Sequence, residues 1–305
     1  MTKNSIGIVG MGWVGASVAF SILNKGICEE LLLNDVRANI AEGEAMDLNQ
    51  GSSFYPSAKV RSVESISEML DCRAIVITAG RNGQPGESRL DLLRENAKIV
   101  NEISSQLTGF SGFLIIVANP VDILTHFYQR SSGFDARKVI GTGTMLDTAR
   151  LREMIGNQLR IDSKSIHANV IGEHGDSEVV LWSGAHIGGI KLLDWEGWNT
   201  DYQEDISHQV KIAAHEIIKR KGATNHAIGL VTATLLKWII RGERRVVNLS
   251  SLIQGPYGLS DISLSLPTLI SGDGIEKVLE VKISDAERDQ LLASADVIKR
   301  AIASV

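Results

Sequence analysis

Short, unbroken apolar runs separated by longer stretches of helical periodicity fill the first half of the chain. Such runs occupy residues 6–9, 31–33, 74–78 and 113–118, with a weaker one at 138–140. Each is too short for a helix and apolar throughout, which is the pattern of a strand covered on both faces. Helix-like stretches lie between them, among them residues 16–23 and 95–107. Strand and helix in alternation predict an α/β fold with a parallel, doubly wound sheet. After about Gly143 the pattern changes. A helix is predicted from Met145 to about Gly156, then extended segments near 166–171 and 246–251. Long amphipathic helices follow over about 203–219 and 226–241, and a closing helix over about 285–303. No Pro/Gly-rich linker, internal repeat or low-complexity segment interrupts the chain. The expected organisation is a first domain over residues 1–143 and an α+β domain over 144–305, packed tightly together.

The first run leads directly into Gly10-Met11-Gly12-Trp13-Val14-Gly15, and the second ends at Asp35, about 20 residues after Gly15. Each part has a physical job. Gly10 permits the tight turn, Gly12 lets the backbone approach a pyrophosphate, and Gly15 lets helix pack closely on strand. The helix N-terminus offers free N–H groups and a positive dipole end to phosphates. A carboxylate at Asp35 can hold two ribose hydroxyls and would repel a 2′-phosphate, which favours NAD over NADP. A bare glycine turn is the alternative, but the strand, the helix and the acid at this spacing together predict a dinucleotide-binding domain of Rossmann type.

Composition changes this picture little. The 305 residues are 44% hydrophobic and 22% charged with a net charge of −5, ordinary for a soluble globular protein with two cores. No basic block suggests nucleic acid or an anionic membrane surface. No apolar stretch approaches the ~20 residues of a membrane span. The longest candidate, residues 227–240, is interrupted by Lys237. Cys28 and Cys72 lack metal-ligand spacing and are expected to be free, buried thiols. No metal site is expected. The first strand starts too early for a signal peptide, so a cytoplasmic location is expected.

In open α/β sheets ligands sit beyond the carboxyl ends of the strands, and candidate chemistry clusters there. Asn119-Pro120 ends the fourth apolar run. Proline pushes Asn119 toward an extended backbone, and the bond between them is a candidate cis peptide. The Asn119 amide could reach a substrate oxygen or form an Asx turn. Asp147 and Arg150, three apart, share one helix face, as an intrahelical ion pair or as catalytic groups. His174, within Gly172-Glu173-His174-Gly175-Asp176, could be a satisfied structural residue or a general acid/base oriented by a carboxylate such as Asp147. Residues 80–89, with three glycines and a proline, read either as a solvated loop or as a lid that brings Arg89 to a developing oxyanion.

Taken together, GMGWVG, TAG with the PGESR loop, ANPVD, GTGTMLDTAR, IGEHGDS and KGAT-NHAIG resemble the L-lactate/L-malate dehydrogenase family over essentially the whole chain. The resemblance is greatest to its bacterial L-lactate dehydrogenase branch. It implies that His174 exchanges the proton, Asp147 pairs with it, Arg150 grips the substrate carboxylate, Arg89 polarises the carbonyl and Asn119 bonds the reacting oxygen. It implies that Thr224 lines the substrate pocket and Ile228 packs near the nicotinamide. Val14, Asp35, Gly80, Arg81, Val117, Asn119 and Thr142 join Gly10, Gly12 and Gly15 on the NAD side.

The chain departs from the family pattern at the position six before Arg89. Lactate enzymes usually carry glutamine there and malate enzymes arginine, whereas this chain has Gly83, followed by Gln84. A glycine cannot pair with a second carboxylate and leaves space. The expected reaction is therefore pyruvate/L-lactate interconversion with acceptance of larger 2-keto acids. Malate dehydrogenase and an L-2-hydroxyisocaproate-type enzyme are the alternatives, and Arg81 keeps the first of them open. A nucleotide sensor that has lost catalysis is the rival from another class. The resemblance also implies a fructose 1,6-bisphosphate site between subunits at Arg152 and His167, where a solvated arginine and a strand histidine are the plainer reading. It implies a homotetramer or a dimer.

Overall fold

The strand order explains where ligands can gather. The parallel strands β1 (Ser5–Val9), β2 (Glu30–Asn34), β3 (Lys59–Ser62), β4 (Ala74–Ile77), β5 (Phe113–Ile116) and β6 (Val139–Gly141) run 3-2-1-4-5-6 across the sheet. The order reverses between β1 and β4, so a crevice opens there at the carboxyl ends. These observations come from a computed structural model that describes residues 4–81, 83, 88–131 and 133–305, without the Arg89 side chain.

The expected doubly wound sheet is present. Helices α1 (Trp13–Lys25) and α2 (Ala38–Gln50) follow β1 and β2, and α3 (Arg89–Gln106) and α4 (Val121–Arg130) follow β4 and β5. Val18, Ile22, Ala41 and Ala45 of α1 and α2 pack in one core with Ile6, Ile8, Leu31 and Leu33. Val100, Ile103, Leu124 and Tyr128 of α3 and α4 pack in a second core with Ile75, Ile77, Leu114 and Ile116. Alternate strand residues thus enter opposite cores, which is why the runs are apolar at every position. Cys28 and Cys72 are buried free thiols.

Helix α5 (Met145–Leu159) opens the second half. The single extended segment expected at 166–171 is two short strands, β7 (Ile166–His167) and β8 (Val170–Ile171). They pair in different small sheets, β8 with β9 (Val179–Val180) and β7 with the hairpin of β10 (His186–Ile187) and β11 (Ile190–Lys191). Helices α6 (Asp201–Lys221) and α7 (His226–Ile240) lead to β12 (Arg245–Gln254), β13 (Ser260–Ser271) and β14 (Gly274–Val278), and α8 (Asp285–Ala303) closes the chain. None of the described helices is long and apolar enough to cross a membrane.

The sheet does not stop with the first half. Strand β12 pairs antiparallel with β6 at Ser250 and Gly141, and β13 and β14 extend the same sheet. The sequence hides this because β13 reads Ser-Asp-Ile-Ser-Leu-Ser-Leu-Pro, with serines where a buried strand normally carries aliphatics. Ser263 and Ser265 are buried because each bonds to a neighbouring element. The Ser263 hydroxyl donates to Gln129 Oε1 of α4 at 2.6 Å, and the Thr144 amide donates to Ser265 Oγ at 3.0 Å. Polar satisfaction replaces aliphatic burial as the price of adding a strand.

Helix α7 returns from the second half to lie on α1, and Leu235, Leu236 and Ile239 complete the first core. The approach is close at Gly229, where a Cβ would stand 2.7 Å from the carbonyl oxygen of Ser17. Gly229→Ala is therefore expected to destabilise the fold by about 1–3 kcal/mol through overpacking against backbone. Urea unfolding checks this, and an unchanged midpoint would contradict the stated packing.

Candidate active site

At the crevice, the glycine loop is shaped by contacts that only glycine allows. Gly10 has φ +98°, and its amide donates to the Asn34 carbonyl at 2.8 Å. A Cβ on Gly15 would collide with the Gly10 carbonyl oxygen, whereas one on Gly12 would meet nothing within 4 Å. The loop is thus closed toward the sheet and open toward the crevice. Gly12 caps α1 without any side-chain cap bond, so the first-turn amides have no side-chain acceptor. Asp35 follows β2 with its carboxylate held over this loop. Oδ2 accepts the Met11 amide at 2.7 Å and Oδ1 accepts the Arg37 amide at 3.0 Å. A pyrophosphate on the open amides and a ribose beside Asp35 fit this arrangement.

The other predicted cofactor residues sit at neighbouring strand ends. Val14 and Ile228 pack half-buried against the first core, and Val117 is buried within it. Thr142 follows β6, buried, with its amide on the Ile116 carbonyl. Gly80 lies near Asn96 and Ala118. Two residues that sequence reasoning passed over hold these loops. Thr78 Oγ1 donates to the Gly10 carbonyl at 2.6 Å, locking the β4 exit to the glycine loop. Buried Asn96 accepts the Arg81 amide at 2.8 Å and donates to the Arg81 carbonyl at 3.3 Å. Its signal was available, because Asn96 interrupts the apolar stripe Leu93, Val100, Ile103 on α3.

The second group of residues converges on one buried carboxylate. Asp147 lies in the first turn of α5, and its side chain is 2% exposed. Oδ1 accepts Arg150 Nη1 at 2.7 Å, and Oδ2 lies 2.5 Å from His174 Nδ1. The ion pair that spacing suggested and the histidine partnership therefore coexist. His174 sits beyond β8 on a loop held from three sides. Its amide donates to Asp122 Oδ2 of α4 at 2.7 Å, the Glu173 amide donates to Ser294 Oγ of α8 at 2.8 Å, and Gly172 bridges to Ser265 of β13. Asp122, within the ANPVD stretch, is a buried acid on α4 whose anchoring role the sequence did not reveal.

Electrostatics follow from this packing. Burial works against an imidazolium at His174, but attraction to Asp147, the hydrogen bond to it, and the charges of Asp122 and Glu178 outweigh that and raise its pKa to about 9. Burial also resists the charge of Asp147, yet His174 and Arg150 hold its carboxyl below the usual range. Burial pushes Asp122 up to about 6, against the bond from the His174 amide.

Asn119 stands exposed at the end of β5. Its bond to Pro120 is cis, as expected, and its Oδ1 accepts the Val121 amide at 3.3 Å. The Asx turn therefore forms and leaves the amide nitrogen for a ligand. Thr224 is half-buried between α6 and α7. Gly83 is exposed, and a Cβ there would lie 3.3 Å from Leu92 Cδ2. Gln84 and the rest of the lid over 84–87, like the Arg89 side chain, lie outside the described residues. Arg152 and His167 lie apart from this centre. Arg152 is about 140° round α5 from Asp147, with Nε on the Ala168 carbonyl at 2.9 Å and Nη2 on Asn169 Oδ1 at 3.3 Å. His167 is exposed and stacks on His186 at 4.8 Å between ring centroids. Among the described residues no cluster of three or more His, Cys, Asp or Glu is placed to hold a metal.

Known proteins resemble the chain over its whole length. The lactate/malate dehydrogenase NAD binding domain matches residues 4–141, and the alpha/beta C-terminal domain of the same enzymes matches residues 144–305. The chain belongs to the lactate/malate dehydrogenase family. Similar members include the L-lactate dehydrogenase of Clostridium perfringens, 37% identical over 99% of this chain and 97% of that one. L-lactate dehydrogenase 2 of Lactococcus lactis is 38% identical over 100% and 99% of the two chains, and the L-lactate dehydrogenase of Priestia megaterium is 40% identical over 97% and 94%. The crystal structure of the minor L-lactate dehydrogenase from Enterococcus mundtii superposes with a TM-score of 0.97 at 36% identity, covering 100% of this chain and 99% of that one. The family's oxidoreductase chemistry and Rossmann-like sheet are those read from the residues.

The raised pKa of His174 has a measurable sign. Its contribution to stability is fully present below the ordinary value of 6.5 and is lost as pH rises through about 9. Asp147→Asn removes the opposing charge, so burial then dominates. The imidazole pKa followed by NMR is expected to fall below 6.5 in that variant; a value that stays near 9 would show that Asp147 is not its cause.

Proposed function

We propose that this protein is an NAD-dependent L-2-hydroxy-acid dehydrogenase that interconverts pyruvate and L-lactate. The observation that carries this reading is the single buried carboxylate of Asp147 joining a proton-transfer group, His174, to a carboxylate anchor, Arg150. The L-lactate dehydrogenases of similar length and fold support it.

The bound dinucleotide supplies the hydride in the reducing direction and accepts it in the other. The protein's part is binding, orientation and proton supply. The open amides beside Gly12 and the carboxylate of Asp35 hold the pyrophosphate and the ribose. Gly10, Gly15, Val14, Gly80, Arg81, Val117, Asn119 and Thr142 shape the rest of that site. Arg150 keeps donors beyond the one spent on Asp147, and its planar fork suits a substrate carboxylate better than lysine would. His174 Nδ1 is committed to Asp147, which leaves Nε2 to give a proton to the carbonyl oxygen as the 2-keto acid becomes a 2-hydroxy acid. Asn119 bonds the same oxygen, and Thr224 and Ile228 close the pocket. Arg89 stabilises the charge growing on the oxygen.

The substrate side chain is set by Gly83. Gly83 itself offers no cation to a second carboxylate, and Leu92 is its near neighbour. This supports pyruvate and larger apolar 2-keto acids over oxaloacetate. Exposed Trp13, Phe20, Met46 and Leu230 on α1, α2 and α7 support self-association as a dimer or tetramer. Initial rates with NADH are expected to rank pyruvate and 2-ketoisocaproate above oxaloacetate. His174→Ala is expected to bind NADH but lose at least about 10²-fold in kcat. A preference for oxaloacetate would sink the pyruvate reading, and an active His174→Ala would sink the role of the histidine.

Arg152 and His167 are the proposed site for fructose 1,6-bisphosphate between subunits. Arg152 is half-buried with Nε on the carbonyl of Ala168, the residue that follows exposed His167, and this supports the site. Millimolar activator is expected to lower the apparent KM for pyruvate, and Arg152→Gln to abolish that response. Identical KM values with and without activator in the unaltered protein would discard the site.

A further inference from the structure

Beside the proposed centre lies a buried acid that the mechanism above does not use. Glu178 is 6% exposed, and its Oε1 is enclosed without a hydrogen-bond partner. It sits on the same turn as His174, where the Glu178 amide donates to the Gly175 carbonyl at 3.1 Å. Four groups from three elements act on its carboxyl: Asp147 and Arg150 of α5, His174 of its own loop, and Lys211 of α6. An enclosed carboxylate oxygen with no donor loses its hydration without replacement, so the site favours the protonated acid.

We infer that Glu178 is a positioning residue of the substrate site: it carries a proton when the 2-keto acid binds, and its ionised form opposes binding by offsetting the positive charge that Arg150 presents. The inference rests on the proposed reaction, since Arg150 must be the carboxylate anchor. With Glu178 neutral, Arg150, Lys211 and protonated His174 outweigh Asp147 and Asp122, and the centre is net positive toward an anionic substrate. Loss of the Glu178 proton brings the centre to neutrality while the same new charge holds His174 protonated. Burial, then repulsion from Asp147, raises the Glu178 pKa well above the ordinary carboxyl range, against the pull of His174, Lys211 and Arg150. The ionisation of Glu178 therefore lies far closer to that of His174 than an ordinary carboxyl's would. Substrate binding then depends on two protons rather than on that of His174 alone.

The test uses oxamate, a non-reacting isostere of pyruvate, with the NADH complex of the full chain. Proton uptake on oxamate binding is followed with a pH indicator between about pH 7 and 10, together with the dissociation constant. The unaltered protein is expected to take up more than about one proton per oxamate at alkaline pH. Glu178→Gln, and Glu178→Met, which fills a similar volume without polar atoms, are expected to take up no more than about one. Their oxamate affinity is also expected to fall with a one-proton slope. Uptake of one proton or fewer by the unaltered protein overturns the inference even if neither variant folds. Variants that keep the unaltered pH profile overturn it as well. Failure of the unaltered NADH complex to bind oxamate at all would overturn the proposed reaction, and the role of Glu178 with it.

Discussion

A single carboxylate with almost no access to water connects everything at this site. Asp147 would be expensive to bury alone, because removing one partner from a buried ion pair costs about 3–5 kcal/mol. It is tolerated because each oxygen faces a cation, Arg150 on one side and His174 on the other. Both partners are thereby oriented. The imidazole is fixed by Nδ1, and the guanidinium is held at one nitrogen with its remaining donors still available. The geometry asks more of the fold than of any one helix, because His174 reaches Asp147 across a chain separation of 27 residues.

The fold meets that demand by making the second half an extension of the first. Strands β12 and β13 continue the parallel sheet in the antiparallel sense, and Ser263 and Ser265 of β13 and Asn248 of β12 bond the elements that carry the site. Thr144, just before α5, is tied to Ser265, and Gly172, just before His174, bridges to the same strand residue. One serine of β13 thus sets the distance between the start of α5 and the histidine loop. Helix α8 adds a further tie through Ser294, and α4 another through Asp122. Helix α7 presses on α1 at Gly229, so the crevice beside the glycine loop and the cluster around Asp147 belong to one packed body.

That economy has an electrostatic consequence. Asp122, Asp147, His174 and Glu178 are crowded into a region with little water, so none titrates at its ordinary value. Low dielectric strengthens every interaction among them. A crowded set of this kind suits a reaction that moves one proton with one hydride, because the charge of the site then follows the chemistry closely.

Much of this was legible in the sequence. The apolar runs marked the parallel strands because a strand between two helical layers has no polar face to show. The glycine spacing and Asp35 marked the crevice because only that residue pattern permits the turn, the close approach and the helix contact in succession. The residues of the centre were legible through family resemblance, whereas their spacing alone favoured an ordinary ion pair and left a structural histidine open. Helices α2 and α4 and strands β3, β13 and β14 were not legible. Strand β13 carries serine at buried positions and Pro267 in its interior, and local pattern cannot reveal that distant partners satisfy those hydroxyls. The convergence of Asp147, Arg150 and His174, the anchors Thr78, Asn96, Asp122 and Ser294, and the stranded acid Glu178 were decided only by tertiary structure. Each depends on a distance between residues far apart in the chain, and a chain order does not contain distances.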